Sequence, residues 1–204
     1  MLTRTRIAVF VSGGGTNLQA LMDAQDAGKL HSGEIVLVVS NNADAYALAR
    51  AQKHGIEAVC VPRRGRKQAE FEQELTALLD ARGIELILLA GFLCILSPAF
   101  VARWPRRILN IHPALLPAFC GKGFYGLHVH EAALARGVKV TGATVHFVNE
   151  IPDGGEILFQ KPVPVEEGDT PETLQLRVMQ QAEWVLLPRA AELVSAEIAK
   201  EKQK

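Results

Sequence analysis

The sequence carries no surplus of charge: 22 Lys and Arg balance 22 Asp and Glu over 204 residues. A nucleic-acid binder relies on a basic excess to neutralise phosphates, so neutrality argues against that class. A small anionic ligand stays open, because backbone amides at a helix N-terminus bind anions without net charge. Cysteine is scarce. Cys60, Cys94 and Cys120 are far apart and form no Cys-x-x-Cys pair, which excludes a disulfide framework and a cysteine zinc site and points to a reducing cytoplasm. No uncharged apolar stretch approaches the ~18 residues of a membrane span, so no membrane partner is expected. The run Ile7–Val11 is too short for the core of a signal peptide. Repeats, low-complexity blocks and linkers are missing too, and one domain over residues 1–204 is expected. Its charged tail, residues 197–204, is expected to fray.

What is present alternates short apolar runs with helical patterns, the signal of βαβ units and a mostly parallel sheet. Strands are expected at Ile7–Val11, Ile35–Val39, Glu57–Val61, Leu86–Ala90 and Ile108–His112. Between them lie helical repeats: Leu18, Leu21 and Met22, then Leu48 and Ala49 behind an Asn42 cap, then Phe71, Leu75, Leu78 and Leu79. A short helix runs to about Arg136. Val140–Asn149 and Glu156–Val163 then read as an antiparallel hairpin whose turn is slightly longer than minimal. Thr170-Pro171 opens a last long helix with the stripe Leu174, Val178, Ala182, Val185 and Leu186, and Pro188 is expected to kink it. The fold class is α/β: a twisted, mostly parallel sheet flanked by helices, with an antiparallel hairpin near the C-terminal end.

Three places carry polar residues where such a sheet binds ligands. Ser12-Gly13-Gly14-Gly15-Thr16-Asn17 follows the first strand and opens a helix, where close backbone approach and free N–H groups suit an anion. The dinucleotide pattern is broken, since Asn17 replaces its third glycine and the second strand ends in Ser40-Asn41-Asn42 rather than an acidic residue. A P-loop Gly-Lys-Ser/Thr is lacking as well, so a single phosphate fits best. Asn110 and His112 share one face at the carboxyl end of the fifth strand. Together they offer an amide and an imidazolium to an oxyanion. Asp153 lies in Pro-Asp-Gly-Gly, which on pattern alone is ordinary turn chemistry. Glu183 lies about 40° around the helix from Met179, at the rim of the stripe, and reads as solvated. His128, His130 and His146 lack the spacing of metal ligands and read as packing or hydrogen-bonding residues.

Asn110-Ile111-His112-Pro113, Leu115-Leu116-Pro117-Ala118-Phe119 and Asp153-Gly154-Gly155 resemble the folate-dependent formyltransferases. Ser12–Ala20, Ala90-Gly91-Phe92-Leu93, Ile95–Phe100 and Thr144–Val148 are similar to the branch that acts on glycinamide ribonucleotide. The resemblance spans Ile7 to about Pro188 and implies a Rossmann-like formyltransferase fold. It also implies formyl transfer from 10-formyltetrahydrofolate, the co-substrate, to the ribonucleotide's amine, without metal. By the same resemblance Asn110, His112 and Asp153 match the catalytic trio, and Gly15, Thr16 and Asn17 match the phosphate loop. Glu183 matches the carboxylate that contacts the ribose, against its reading from pattern. Leu93, Cys94, Ile95, Leu96 and Asn110 match the folate pocket, with Cys94 standing where many members have a basic residue. Arg66 is the nearest match to a basic residue that helps hold phosphate or folate. The loop Phe119–Gly126 is longer than in shorter-looped relatives. In this reading Asp153 favours the protonated form of His112. From a different class, a non-catalytic phosphate-ligand sensor on the same sheet would have no need of an intact trio.

Overall fold

The computed structural model describes residues 4–203. Its strands are β1 (Thr5–Val11), β2 (Gly33–Ser40), β3 (Glu57–Cys60), β4 (Leu86–Leu89), β5 (Ile108–His112), β6 (Val140–Phe147) and β7 (Ile157–Pro164). They form one sheet in the order β3-β2-β1-β4-β5-β6-β7. The pairs from β3 to β5 are parallel, whereas β6 and β7 run antiparallel. The helices are α1 (Thr16–Asp26), α2 (Tyr46–Lys53), α3 (Gln68–Ala81), α4 (Pro98–Arg103), α5 (Leu127–Arg136), α6 (Pro171–Val178) and α7 (Trp184–Glu201).

Strand alternation divides the core between the two faces of the sheet. Ile7, Val9 and Val11 join Leu18, Leu21, Leu187 and Ala191 on one side. Ala8 and Phe10 join Phe71, Leu75, Leu79 and Phe100 on the other. Every residue of β4, Leu86 to Leu89, is buried, as a strand covered on both faces requires. The strand order reverses between β1 and β4, so the loops leaving these two strands open a crevice at their carboxyl ends.

Several boundaries differ from the sequence expectation for identifiable reasons. The second helix is not capped by Asn42, which accepts from the Asp44 amide at 3.1 Å instead; the helix starts after Ala45. Helix α4 was not visible as an apolar period because it has only six residues, though Ser97 accepting from the Phe100 amide and Pro98 in the first turn are ordinary start signals. The long C-terminal helix is interrupted at Met179–Glu183 by a π-helical turn, ahead of Pro188. That wider turn rotates everything after it, so Val185 is 47% exposed while Leu187 and Pro188 are buried. The tail does not fray from residue 197: α7 continues to Glu201, with Ile198 and Ala199 buried. Lys202 pairs with Glu85 at 2.6 Å, and Arg107 pairs with Glu201. Lys204 lies outside the described residues.

This docking makes Ile198→Ala a test of the tail. Emptying the site costs about 2–4 kcal/mol, read as a fall of roughly 5–10 °C in melting temperature. A change of less than about 1 °C restores the frayed tail.

Candidate active site

A cleft of about 540 Å³ opens at the carboxyl ends of β4 and β5. Gly91–Leu96, leaving β4, form one wall, and the β6–β7 turn forms another. Leu93 and Ile95 stand 62% and 67% exposed along it, apolar surface that a soluble protein normally covers with a ligand or partner. Asn110 and His112 line the cleft from the end of β5, and Asp153 enters from the turn.

The turn is built to deliver that carboxylate. Asn149 bridges it, its Oδ1 accepting from the Ile151 amide at 2.9 Å and its Nδ2 donating to the Gly154 carbonyl at 3.2 Å. Asp153 itself takes the left-handed conformation, φ 54°, which Asp tolerates better than bulkier residues. Gly155 passes so close to β6 that a Cβ would lie 1.7 Å from the Phe147 carbonyl oxygen. The result brings Asp153 Oδ1 to 3.7 Å from both His112 Nδ1 and His146 Nε2. Its Oδ2 accepts from the Gly121 amide at 2.9 Å.

Hydrogen bonds fix the orientation of each ring. His112 Nε2 lies 2.8 Å from the Phe119 carbonyl; a carbonyl only accepts, so Nε2 carries the proton and Nδ1 turns its lone pair to Asp153 in the neutral ring. His146 Nδ1 donates likewise to the Phe147 carbonyl at 2.9 Å. Its Nε2 then accepts from Asn110 Nδ2 at 3.1 Å, consistent with the direct register of Asn110 opposite His146. The remaining Asn110 N–H faces Asp153 Oδ1 at a long 3.4 Å.

Burial pushes His112 below an ordinary histidine, against the upward pull of Asp153 and the Phe119 carbonyl. Asp153 does pull this ring toward its protonated form, as the sequence reading expects, and burial outweighs that pull in the ligand-free site. Burial also raises Asp153, but the neighbouring His146, the His112 ring and the Gly121 amide outweigh it, and its pKa falls below normal. His130, fully buried, is pushed down to about 4 by desolvation and then by His112. Neither of its ring nitrogens has a partner among the described residues.

A second group of polar residues gathers at the end of β1. Gly13 and Gly14 are exposed, and Gly15 (φ 75°) precedes α1, whose first N–H groups are open. Asn17 Nδ2 donates to Glu183 Oε2 at 2.6 Å. Burial raises the Glu183 carboxyl to about 7, partly opposed by Asn17. Ser12 ties the two regions together: its hydroxyl accepts from the Leu93 amide at 2.8 Å and donates to Asn41 Oδ1 at 2.7 Å.

Residues 5–190 match the family described as formyl transferase. The chain belongs to the formyl transferase family. It is 43% identical over 180 residues to the chloroplastic phosphoribosylglycinamide formyltransferase of Arabidopsis thaliana, covering 87% of this chain and 61% of that protein. The chain thus spans less than two thirds of the plant relative's length. It is 40% identical over 184 residues to the phosphoribosylglycinamide formyltransferase of Haemophilus influenzae, covering 90% of this chain and 84% of that one. The crystal structure of glycinamide ribonucleotide transformylase 1 from Symbiobacterium toebii superposes with a TM-score of 0.88 at 40% identity, over 95% of this chain and 89% of that one.

For this formyl transferase, Asn110, His112 and Asp153 converge on one cleft, and Leu93, Cys94, Ile95 and Leu96 line it. Gly15, Thr16, Asn17 and Glu183 form the neighbouring group. Arg66 joins neither: Glu74 holds it at 2.7 Å, and it does not line the cleft. Arg63 is the base beside Cys94, whose thiol is pushed up by burial and partly drawn back by that guanidinium. The long loop between β5 and α5 lines the cleft with Gly121–Gly126 and secures Asp153 through the Gly121 amide. His146 was missed as a site residue because a histidine in mid-strand gives no signal until strand pairing sets it beside Asn110. Among the described residues no three His, Cys, Asp or Glu side chains are arranged to hold a metal ion. No helix there is long and apolar enough to cross a membrane.

Glu183 makes stability depend on pH. Its folded pKa of about 7 lies above the unfolded carboxylate value, so its favourable contribution is complete below about pH 4 and is lost as pH rises through 7. Glu183→Gln keeps the acceptor for Asn17 and removes the titration. Denaturant melts at pH 5 and 8 should show the wild type losing up to about 3 kcal/mol relative to the variant. Parallel stability curves for the two proteins contradict the raised pKa.

Proposed function

We propose that the chain transfers the formyl group of 10-formyltetrahydrofolate to the amine of glycinamide ribonucleotide, giving formylglycinamide ribonucleotide and tetrahydrofolate in purine biosynthesis. The observation that carries this reading is the junction of two unlike sites. An apolar cleft with Asn110, His112 and Asp153 at its head is linked through the Ser12–Leu93 hydrogen bond to a glycine loop at a helix N-terminus. The exposed side chains of Leu93 and Ile95 suit a flat heteroaromatic co-substrate. The open amides of Gly14 to Asn17 suit a phosphate, and the Glu183 carboxylate suits ribose hydroxyls. We take residues 1–204 as one formyltransferase domain acting on small molecules in a reducing cytoplasm, consistent with three unpaired cysteines.

The chemistry needs no covalent enzyme intermediate and no metal. The substrate amine attacks the formyl carbon, and negative charge gathers on the formyl oxygen. Asn110 meets that oxygen with the N–H that is only loosely engaged by Asp153. The proton leaving the amine is taken by His112 Nδ1, the lone pair left free by the Phe119 carbonyl. Asp153 Oδ1, opposite that nitrogen, stabilises the resulting imidazolium. The cation then supports the oxyanion and delivers its proton to the departing folate nitrogen, so the proton balance closes within the site.

The direct test mixes purified protein with glycinamide ribonucleotide and a 10-formyl folate and follows deformylation by absorbance. Deformylation that needs the ribonucleotide supports transfer; equal rates without it mean hydrolysis and overturn the proposal. Asn110→Ala and His112→Ala should each lower kcat by about 10²–10³ while melting temperature holds. Near-normal turnover removes either from the mechanism. Asp153→Asn withdraws the charge that raises His112, so kcat should fall and the acid limb of the pH–rate profile should move to lower pH. A limb that stays in place counts against the pairing.

A further inference from the structure

The glycine loop owes its shape to α2. The Gly13 carbonyl accepts from the Ala47 amide at 3.1 Å, one of the N–H groups that a helix start leaves free. The next carbonyl, Gly14, accepts from Arg50 Nε at 2.8 Å. A trans peptide points its C=O and N–H in opposite directions. Holding the carbonyls of Gly13 and Gly14 against α2 therefore turns the N–H groups of Gly14 and Gly15 to the opposite, exposed side. These are the two donors that precede the open end of α1.

Arg50 is itself braced. Its Nη1 donates to Gln19 Oε1 of α1 at 3.0 Å, and its guanidinium lies 5.0 Å from the centroid of the Tyr46 ring. Gln19 in turn donates to Asp23 Oδ1 at 2.8 Å. The approach of α2 is close enough that a Cβ on Gly15 would lie 2.6 Å from the Ala47 Cβ. A positive charge on the Gly14 carbonyl also polarises that peptide and strengthens its N–H as a donor.

We infer that Arg50 is the positioning residue for the phosphate end of the site: it fixes the loop peptides so that the Gly14 and Gly15 amides converge on the anion. The inference rests on the reading of this loop as the ribonucleotide's phosphate cradle. Arg50 acts through the loop and takes no part in formyl transfer, so its loss falls on binding. Lysine keeps the charge but lacks the fork that reaches Gly14 and Gln19 together.

The experiment compares wild type, Arg50→Met and Arg50→Lys. Calorimetry with inorganic phosphate is the first readout, and steady-state kinetics with both substrates is the second. Arg50→Met should weaken phosphate binding and raise KM for the ribonucleotide, each roughly 10-fold. At saturation kcat and the folate KM should stay within about three-fold. Arg50→Lys should reproduce most of the loss. Unchanged phosphate affinity in Arg50→Met, full recovery in Arg50→Lys, or a fall in kcat with KM unmoved each overturns the positioning role. A wild type that binds phosphate but does not formylate sinks the proposed reaction alone, and the phosphate comparison still decides for or against Arg50. A wild type that binds no phosphate overturns the cradle and with it the role of Arg50, while the formyl-transfer assay still decides the reaction.

Discussion

The site hangs on one half-buried carboxylate. Asp153 Oδ1 is within 3.7 Å of two imidazoles and 3.4 Å of the Asn110 amide, while the Gly121 N–H fixes its other oxygen. Burial pushes this carboxyl up, and its neighbours outweigh that and hold it below the usual carboxylate range. Four separate stretches of chain meet there: the end of β5, the end of β6, the loop after Phe119 and the β6–β7 turn. Removing any one leaves the others with unmatched polar groups, the situation proteins avoid most strictly in their interiors.

The two regions of the site are organised by different means. Around Asp153 the polar groups are side chains, oriented by backbone carbonyls that accept from His112 and His146. At the glycine loop the backbone is held by a side chain and a helix start on α2. Ser12 joins them through one hydroxyl that both accepts and donates. The two regions are thus shaped by separate sets of contacts that meet at a single serine.

Much of this was legible in the sequence. The five parallel strands follow from short apolar runs between helical periods, and Asn110 and His112 follow from alternation within Ile108–His112. The hairpin and its long turn follow from Ile151–Gly155. Where the reading failed, the cause was distance or phase. Glu183 read as a rim residue because a regular helical period was carried through Met179–Glu183; the π-helical turn there brings its carboxylate inside, onto Asn17. For Arg66 the basic cluster in the sequence does not reveal that Glu74 pairs with it, outside the cleft. For His112 the sequence shows the Asp153 charge that raises it and hides the burial that lowers it further. Arg50 and His146 gave no local signal at all, since each acquires its place only through packing between elements distant in the chain.

The seam at β5 carries a further implication. Here the parallel half of the sheet meets the antiparallel half, and Asn110 faces His146 by direct pairing. Slippage of β6 by a single residue would set Val145 or Phe147 against Asn110 and swing the imidazole to the far side of the sheet. The same slip would drag the turn bearing Asp153 out of line. Strand alignment and the meeting of Asn110, His146 and Asp153 are therefore a single structural event.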